Sequence, residues 1–205
     1  MCNLYSLNKG QDAIGRLFRV DRDDAGNLPP LPGIFPDTLA PVVRQDGEAR
    51  RMQMMRWGFP PPPQGGRPVT NVRNLQSSYW RAWLKPDYRC LVPATSFCEW
   101  TDSLPKVPHW FALEEGRPLF AFAGIWRPWQ GERKGESGEH RLFAFLTADA
   151  NAVVKPVHAK AMPVILTGAA CDVWLSGSIG DAIALQRPAP DGLLRVVATG
   201  SKTDG

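Results

Sequence analysis

The sequence predicts one α+β domain over residues 1–205, built on a mostly antiparallel sheet that curls toward a barrel, with a few short helices. Three observations carry this expectation. A chain of 205 residues that is 43% hydrophobic and 21% charged has the size and balance of one globular domain with a sizeable core. Its 20 prolines and 19 glycines cut the chain into short pieces, which disfavours long helices. Between those breaks, runs with strand character outnumber runs with helical periodicity.

Residues 2–7 read as a short strand, 11–18 as a helix, and 21–36 as a polar loop rich in Gly and Pro. Residues 41–44 and 51–59 read as strands, the second through the alternating run Met52-Gln53-Met54-Met55-Arg56-Trp57. Residues 60–66, four prolines followed by Gln-Gly-Gly, form a stiff and then flexible surface connector. Residues 77–84 read as an amphipathic helix, opened by a Ser cap and stopped before Pro86. Strands follow at 89–93, 97–100, 109–113, 119–126 and 142–147, with the glycine-rich, charged stretch 131–139 as the loop joining the last two. After Asp149 come a helical turn, a strand at 162–166, a helix at 171–175 and a final strand at 194–198.

Several function classes drop out early. The N-terminus has no basic region followed by an apolar run, and no stretch approaches 18 uninterrupted apolar residues, so a cytoplasmic protein with no membrane partner is expected. Cysteines at 2, 90, 98 and 171, with no C-x-x-C pair, are too sparse for a disulfide scaffold or a structural zinc site, so no metal is expected. No G-x-G-x-x-G or P-loop occurs, and no cofactor is expected. A net charge of +4 mildly favours an anionic partner.

The most informative stretch is Met1-Cys2. A small residue after the initiator usually allows removal of the methionine, and the chain would then begin at Cys2 with an α-amine and a thiol on adjacent carbons. An N-terminal amine can serve as its own nucleophile's general base. The amine and the thiol titrate near ~8 and ~8.5 in model peptides, so a modest local shift readies either for attack. Together they condense with an aldehyde, first as an imine and then as a five-membered thiazolidine. Three further clusters carry chemistry. Asn71-Val72-Arg73 offers donors for a phosphate or a sugar. Glu99 sits between Phe97-Cys98 and Trp100, an apolar frame that would raise a carboxyl pKa toward the range useful for acid/base work. His158 precedes the hydrophobic strand at 162–166, whereas His109 and His140 read as structural.

Taken together these pieces resemble the SOS-response-associated peptidase (SRAP) family, whose members begin Met-Cys and carry an Asn-x-Arg, a Cys-Leu-Val-Pro-Ala followed by Phe/Tyr-Glu-Trp, and a late His with Met-Pro. The matching residues are Cys2, Asn71 to Arg73, Arg89 to Ala94, Glu99-Trp100, His158 and Met162-Pro163, with Trp57-Gly58 and Pro36 at two further positions. The resemblance implies a protein that crosslinks covalently to abasic sites in single-stranded DNA after autoproteolytic loss of Met1, acting as a monomer at the nucleoid. By the same carry-over Cys2, Asn71, Glu99 and His158 are catalytic, and Arg73, Arg89, Trp57 and Pro36 contact DNA. Four departures accompany it: Asn3-Leu4 where many members have Gly-Arg, the proline run 60–63 with Gly65-Gly66 where the segment after Trp-Gly usually holds further aromatics, Cys98 for the commoner Tyr, and a His motif with four residues rather than three from His158 to Met162 and Lys160 near the usual Arg. Two other classes share the motifs. One is an N-terminal-cysteine amidohydrolase or peptidase, marked by amide turnover without a DNA adduct. The other is a non-covalent single-stranded DNA-binding module, indifferent to Cys2→Ser.

Overall fold

The computed structural model describes residues 2–61 and 66–204. In chain order its elements are β1 (Tyr5–Leu7), α1 (Gln11–Phe18), β2 (Arg22–Asp24), β3 (Leu31–Ile34), β4 (Leu39–Asp46), β5 (Ala49–Trp57), β6 (Asn71–Val72), α2 (Ser78–Arg81), β7 (Arg89–Ala94) and β8 (Ser96–Trp100). They continue with β9 (Pro108–Ala112), β10 (Phe120–Arg133), β11 (Glu136–Ala148), β12 (Met162–Pro163), β13 (Ile165–Leu166), α3 (Ala169–Ser176), α4 (Ile179–Ala184) and β14 (Arg195–Thr199). The fold is α+β, as the sequence predicts, and the barrel expectation is borne out.

Strands β4, β5, β11, β10 and β7 close on themselves. Four of the seams are antiparallel, and the fifth, β5 with β11, is parallel through the pairs Leu142↔Arg56 and Phe143↔Trp57. A closed barrel leaves no free edge along its ring. A second, five-stranded sheet runs β14-β9-β8-β1-β3. Tyr5 of β1 joins the two layers, packing edge-on against Trp57, Phe122 and Phe145 at centroid distances of 5.2, 5.5 and 6.1 Å. Such edge-to-face aromatic contacts add about 0.5–1.5 kcal/mol beyond area burial.

Some expectations change. The stretch 131–139 is not a loop: β10 and β11 are the two arms of one long hairpin turning at Lys134-Gly135, both at positive φ (53° and 80°). Two successive positive φ values make the tight turn that matches the right-handed twist of a hairpin. The predicted loop 21–36 contains β2 and β3. The helix expected at 77–84 ends at Arg81 and tightens into a 3-10 turn over Ala82–Leu84. Helix α4 was not foreseen, although its capping box between Ser178 and Asp181 is a start signal that the sequence displays. The strand at 162–166 splits at Val164, whose N–H and C=O bond Leu146 and Ala123 on neighbouring barrel strands. Residues 62–65 of the proline-rich connector lie outside the described residues, but its base is tied by the Phe59–Val69 bridge.

Candidate active site

Cys2 is brought into the fold by strand pairing. β1 pairs antiparallel with β8 through Tyr5↔Phe97 and Ser6↔Ser96, and the Cys98 N–H donates to Leu4 O at 2.9 Å. Continuing that register carries residues 2 and 3 toward Glu99. The Cys2 side chain is buried, with Sγ 3.5 Å from Leu4 O and 3.9 Å from Cys98 O. Burial first, and the Glu99 charge second, push its thiol well above the ordinary range, so it rests as a neutral thiol.

Asn71 holds the same residue from the barrel side. β6 pairs parallel to β11 through Phe145↔Asn71, and Asn71 Nδ2 donates to Cys2 O at 2.9 Å and to Thr70 Oγ1 at 2.8 Å. Asn71 Oδ1 is buried and accepts no hydrogen bond among the described residues. Glu99, on β8, is 3% exposed, and its Oε1 likewise has no hydrogen-bond partner among them. Burial raises its carboxyl from 4.5 to about 8, against a lowering from the positive chain terminus. At neutral pH Glu99 is therefore mostly a protonated acid.

His158 follows the turn at 152–157, which Asn151 pins from inside. Asn151 Nδ2 donates to Ala189 O at 3.1 Å, and its Oδ1 accepts from the Val154 N–H at 3.0 Å. Burial lowers the His158 pKa, and the chain terminus, Lys160 and Lys106 push the same way against Asp102, so the ring is a neutral base.

Glu99 and His158 open onto one cleft of about 870 Å³. Asn3, Phe35, Pro36 and Asp37 line it, as do Trp100 and Asp102, and the cations Arg67, Lys106 and Lys202 stand around it. The Phe35-Pro36-Asp37 lip is braced from behind: Asp37, at φ 64°, donates its N–H to Trp57 O at 2.8 Å and accepts from Arg133 Nη2 at 2.6 Å. Gly58, just beyond Trp57, has φ +122°, a backbone state that favours glycine, and donates its N–H to Phe143 O at 2.8 Å.

The sequence-derived residues thus divide. Cys2, Asn71, Glu99 and His158 converge, and Pro36 lines the cleft mouth. Arg73 is not among the residues that line the cleft; it is half exposed, donating to Lys160 O at 2.5 Å and ion-paired with the exposed Asp149. Two of the expected DNA contacts sit elsewhere. Trp57 is fully buried in the barrel core, stacked on Phe145 at 5.1 Å with its Nε1–H donated to Thr70 O, so it presents no face to a base. Arg89 is also fully buried, donating to Gly177 O at 2.5 Å under the α3–α4 corner, with Trp174 beside it. No phosphate reaches it there. Sequence reasoning missed Phe35, Arg67, Lys106 and Lys202, and took Trp100 only as part of a motif, without a role. Of these, Phe35 could have been found as the neighbour of Pro36. Among the described residues, no group of three His, Cys, Asp or Glu side chains could hold a metal ion, and no helix is long and apolar enough to cross a membrane.

The profile of the SRAP family (SOS response associated peptidase) matches residues 1–201. The chain belongs to the SRAP family. Among its relatives, the abasic site processing protein YoqW of Bacillus subtilis is 30% identical over 195 residues, covering 91% of this chain and 85% of YoqW. The abasic site processing protein YoaM of the same organism is 29% identical over 187 residues, covering 86% of this chain and 79% of its own. The fold is shared with a crystal structure of a Bordetella bronchiseptica protein at TM-score 0.76 and 22% identity, covering 97% of this chain and 98% of that one. A phage-related protein from the same bacterium matches at TM-score 0.73 and 20% identity, covering 98% of each chain.

Proposed function

We propose that this SRAP protein processes abasic sites in DNA by forming a covalent thiazolidine adduct with them in single strands, through the α-amine and thiol of Cys2 after autoproteolytic loss of Met1. The observation that carries the reading is the convergence on Cys2 of an amide that fixes it, a buried protonated carboxyl and a neutral imidazole. The relatives named as abasic site processing proteins point to the same substrate.

The chemistry follows from the protonation states. An abasic deoxyribose opens to a C1′ aldehyde, and His158, a neutral base at the cleft, relays the proton of that ring opening. The Cys2 amine adds to C1′ to give a carbinolamine. Protonated Glu99 donates to the departing hydroxyl, water leaves, and a protonated imine remains. Glu99 is now a carboxylate and takes the proton of the neutral Cys2 thiol as sulfur attacks C1′. The ring closes with net loss of one water, and Glu99 is restored to its protonated form. Asn71 holds Cys2 through its carbonyl and has Oδ1 left for the sugar. Pre-positioning of this kind replaces a bimolecular condensation with an effectively intramolecular one, a gain on the order of 7 kcal/mol in ideal cases. Arg73 would meet a phosphate by giving up its hydrogen bond to Lys160 O and its exposed pair with Asp149, and such a pair is worth about 0–1 kcal/mol. Pro36 would abut the bases at the cleft mouth. A protein with this substrate works on the nucleoid, in the cytoplasm.

The test incubates purified protein with a single-stranded oligonucleotide carrying one abasic site, followed by a denaturing gel and intact mass. The expected species has the mass of protein lacking Met1 plus DNA minus one water, and is absent with Cys2→Ala and with undamaged DNA. Loss of Met1 without any adduct would overturn the reading.

A further inference from the structure

Residues 200–204 cross the five-stranded sheet from β9 to β3 and are tied at each step. The Gly200 N–H donates to Pro108 O at 2.9 Å, Ser201 O accepts from Trp110 Nε1 at 2.9 Å, and the Asp204 N–H donates to Pro32 O at 2.9 Å. The anchor is Asp204, 2% exposed: its carboxylate accepts from Ser96 Oγ at 2.5 Å and from Arg117 Nε at 2.8 Å, and its carbonyl accepts from Ser6 Oγ at 3.0 Å. Lys202 lies between these fixed points. Its carbonyl packs against Gly33, and the residue lines the same cleft as Glu99 and His158.

The charge of that cleft is one-sided. Asp37 is neutralised by Arg133 and Arg56, and Glu99 is protonated up to about 8. Asp102 then faces Arg67, Lys106 and Lys202, all exposed and, among the described residues, none of them in an ion pair. Three cations lining a cleft against one remaining carboxylate are an electrostatic footprint for a polyanion.

We infer that the 200–204 tail is a DNA-binding element, with Lys202 held by the Asp204 anchor so that it, Lys106 and Arg67 take phosphates of the strand entering the cleft. The inference rests on the single-stranded DNA reading above and adds a binding residue to it. Its test separates the two. In a Cys2→Ser background, binding of a single-stranded oligonucleotide carrying a tetrahydrofuran abasic analogue, which has no aldehyde, is followed by fluorescence anisotropy from 50 to 200 mM salt. Lys202→Ala is expected to weaken binding several-fold at 50 mM and to lower the slope of log K against log salt by about 0.7, the value of one single-strand phosphate contact. Lys202→Ala/Lys106→Ala should lower it by about twice that, and Lys202→Arg should restore it. Arg16→Ala, on α1 outside the cleft, controls for general loss of charge and should keep the parent slope. Parent affinity and slope in the double variant would overturn the inference, whether or not the wild-type protein forms its adduct. Should the wild type fail to form an adduct while Lys202→Ala still weakens binding to the analogue, the crosslinking reading falls and the tail remains a DNA-binding element.

Discussion

Replacing Glu99 with Gln should make the fold more stable, by an amount that grows with pH. Burial raises the Glu99 carboxyl from 4.5 to about 8, so the unfolded chain ionises it over a range where the folded chain keeps it neutral. The stability that the protonated side chain allows is fully present below the unfolded value of 4.5 and is lost as pH climbs to the folded value near 8. At about 1.4 kcal/mol per unit, wild type loses about 1 kcal/mol by pH 5, about 3 by pH 7, and on the order of 5 by pH 9, relative to a side chain that never ionises. Glutamine keeps the shape and cannot ionise. Urea unfolding of both proteins at pH 5, 7 and 9 reads the difference directly. With an m-value of about 2 kcal/mol/M, the midpoints should separate by about 0.5 M at pH 5 and by about 1.5 M at pH 7. A separation that is the same at all three pH values, or a Gln variant less stable throughout, would refute the buried-acid account. The same substitution should slow adduct formation about 10²–10⁴-fold, the usual worth of a positioned acid/base group. A residue that costs stability and supplies rate belongs to the site rather than to the core.

Three further outcomes follow from the geometry. His158, lowered by burial and nearby positive charge, should titrate below 6.5 by NMR in a Cys2→Ser protein, and a midpoint at or above 6.5 would contradict its role as a resting base. Asn71→Ala removes the 2.9 Å bond to Cys2 O; it should cost about 1 kcal/mol of stability and slow single-turnover crosslinking about tenfold or more, whereas a rate within about twofold of wild type would mean that the amide does not fix the nucleophile. Gly58→Ala has room beside Pro68 but not the right backbone, because φ is +122°. A cost of about 1–3 kcal/mol, seen as a fall in Tm of roughly 2–10 °C, is expected, and an unchanged Tm would show that the strand end relaxes freely.

Much of the site was legible in the sequence because its chemistry depends on residue types that are rare or oddly placed. Cys2 at a terminus, Glu99 in an apolar frame and His158 before a strand each stood out, and the fold brings them together with Asn71. Trp57 and Arg89 show where such reading stops. Both lie on strands whose neighbours are buried, and one-dimensional alternation does not tell a tryptophan that stacks on Phe145 inside a barrel from one that faces a ligand. A buried arginine is rarer still, and only the α3–α4 corner reveals what receives it. The hairpin at 131–139 hid because its arms run beyond the barrel, where glycines and charges face water as they would in a loop. The cleft cations were invisible for a different reason: Arg67, Lys106 and Lys202 lie far apart in sequence and line one cleft only once the Phe59–Val69 bridge closes the connector and residues 200–204 are bonded across β9, β8 and β3.

The Asp204 anchor also bears on how the molecule is made. Ser6 and Ser96, on the two strands that mount Cys2 and Glu99, reach their partner 198 and 108 positions later. Contacts of such sequence separation form late, since the loop must close before they reward it. During synthesis the segment bearing Cys2 therefore leaves the ribosome well before residues 200–204, and the sheet that orients it is not tied until they follow. Until residues 200–204 have emerged, the strands that carry Cys2 and Glu99 lack their shared tie to Asp204, so on the reading proposed above a chain cut before residue 204 should form its adduct slowly.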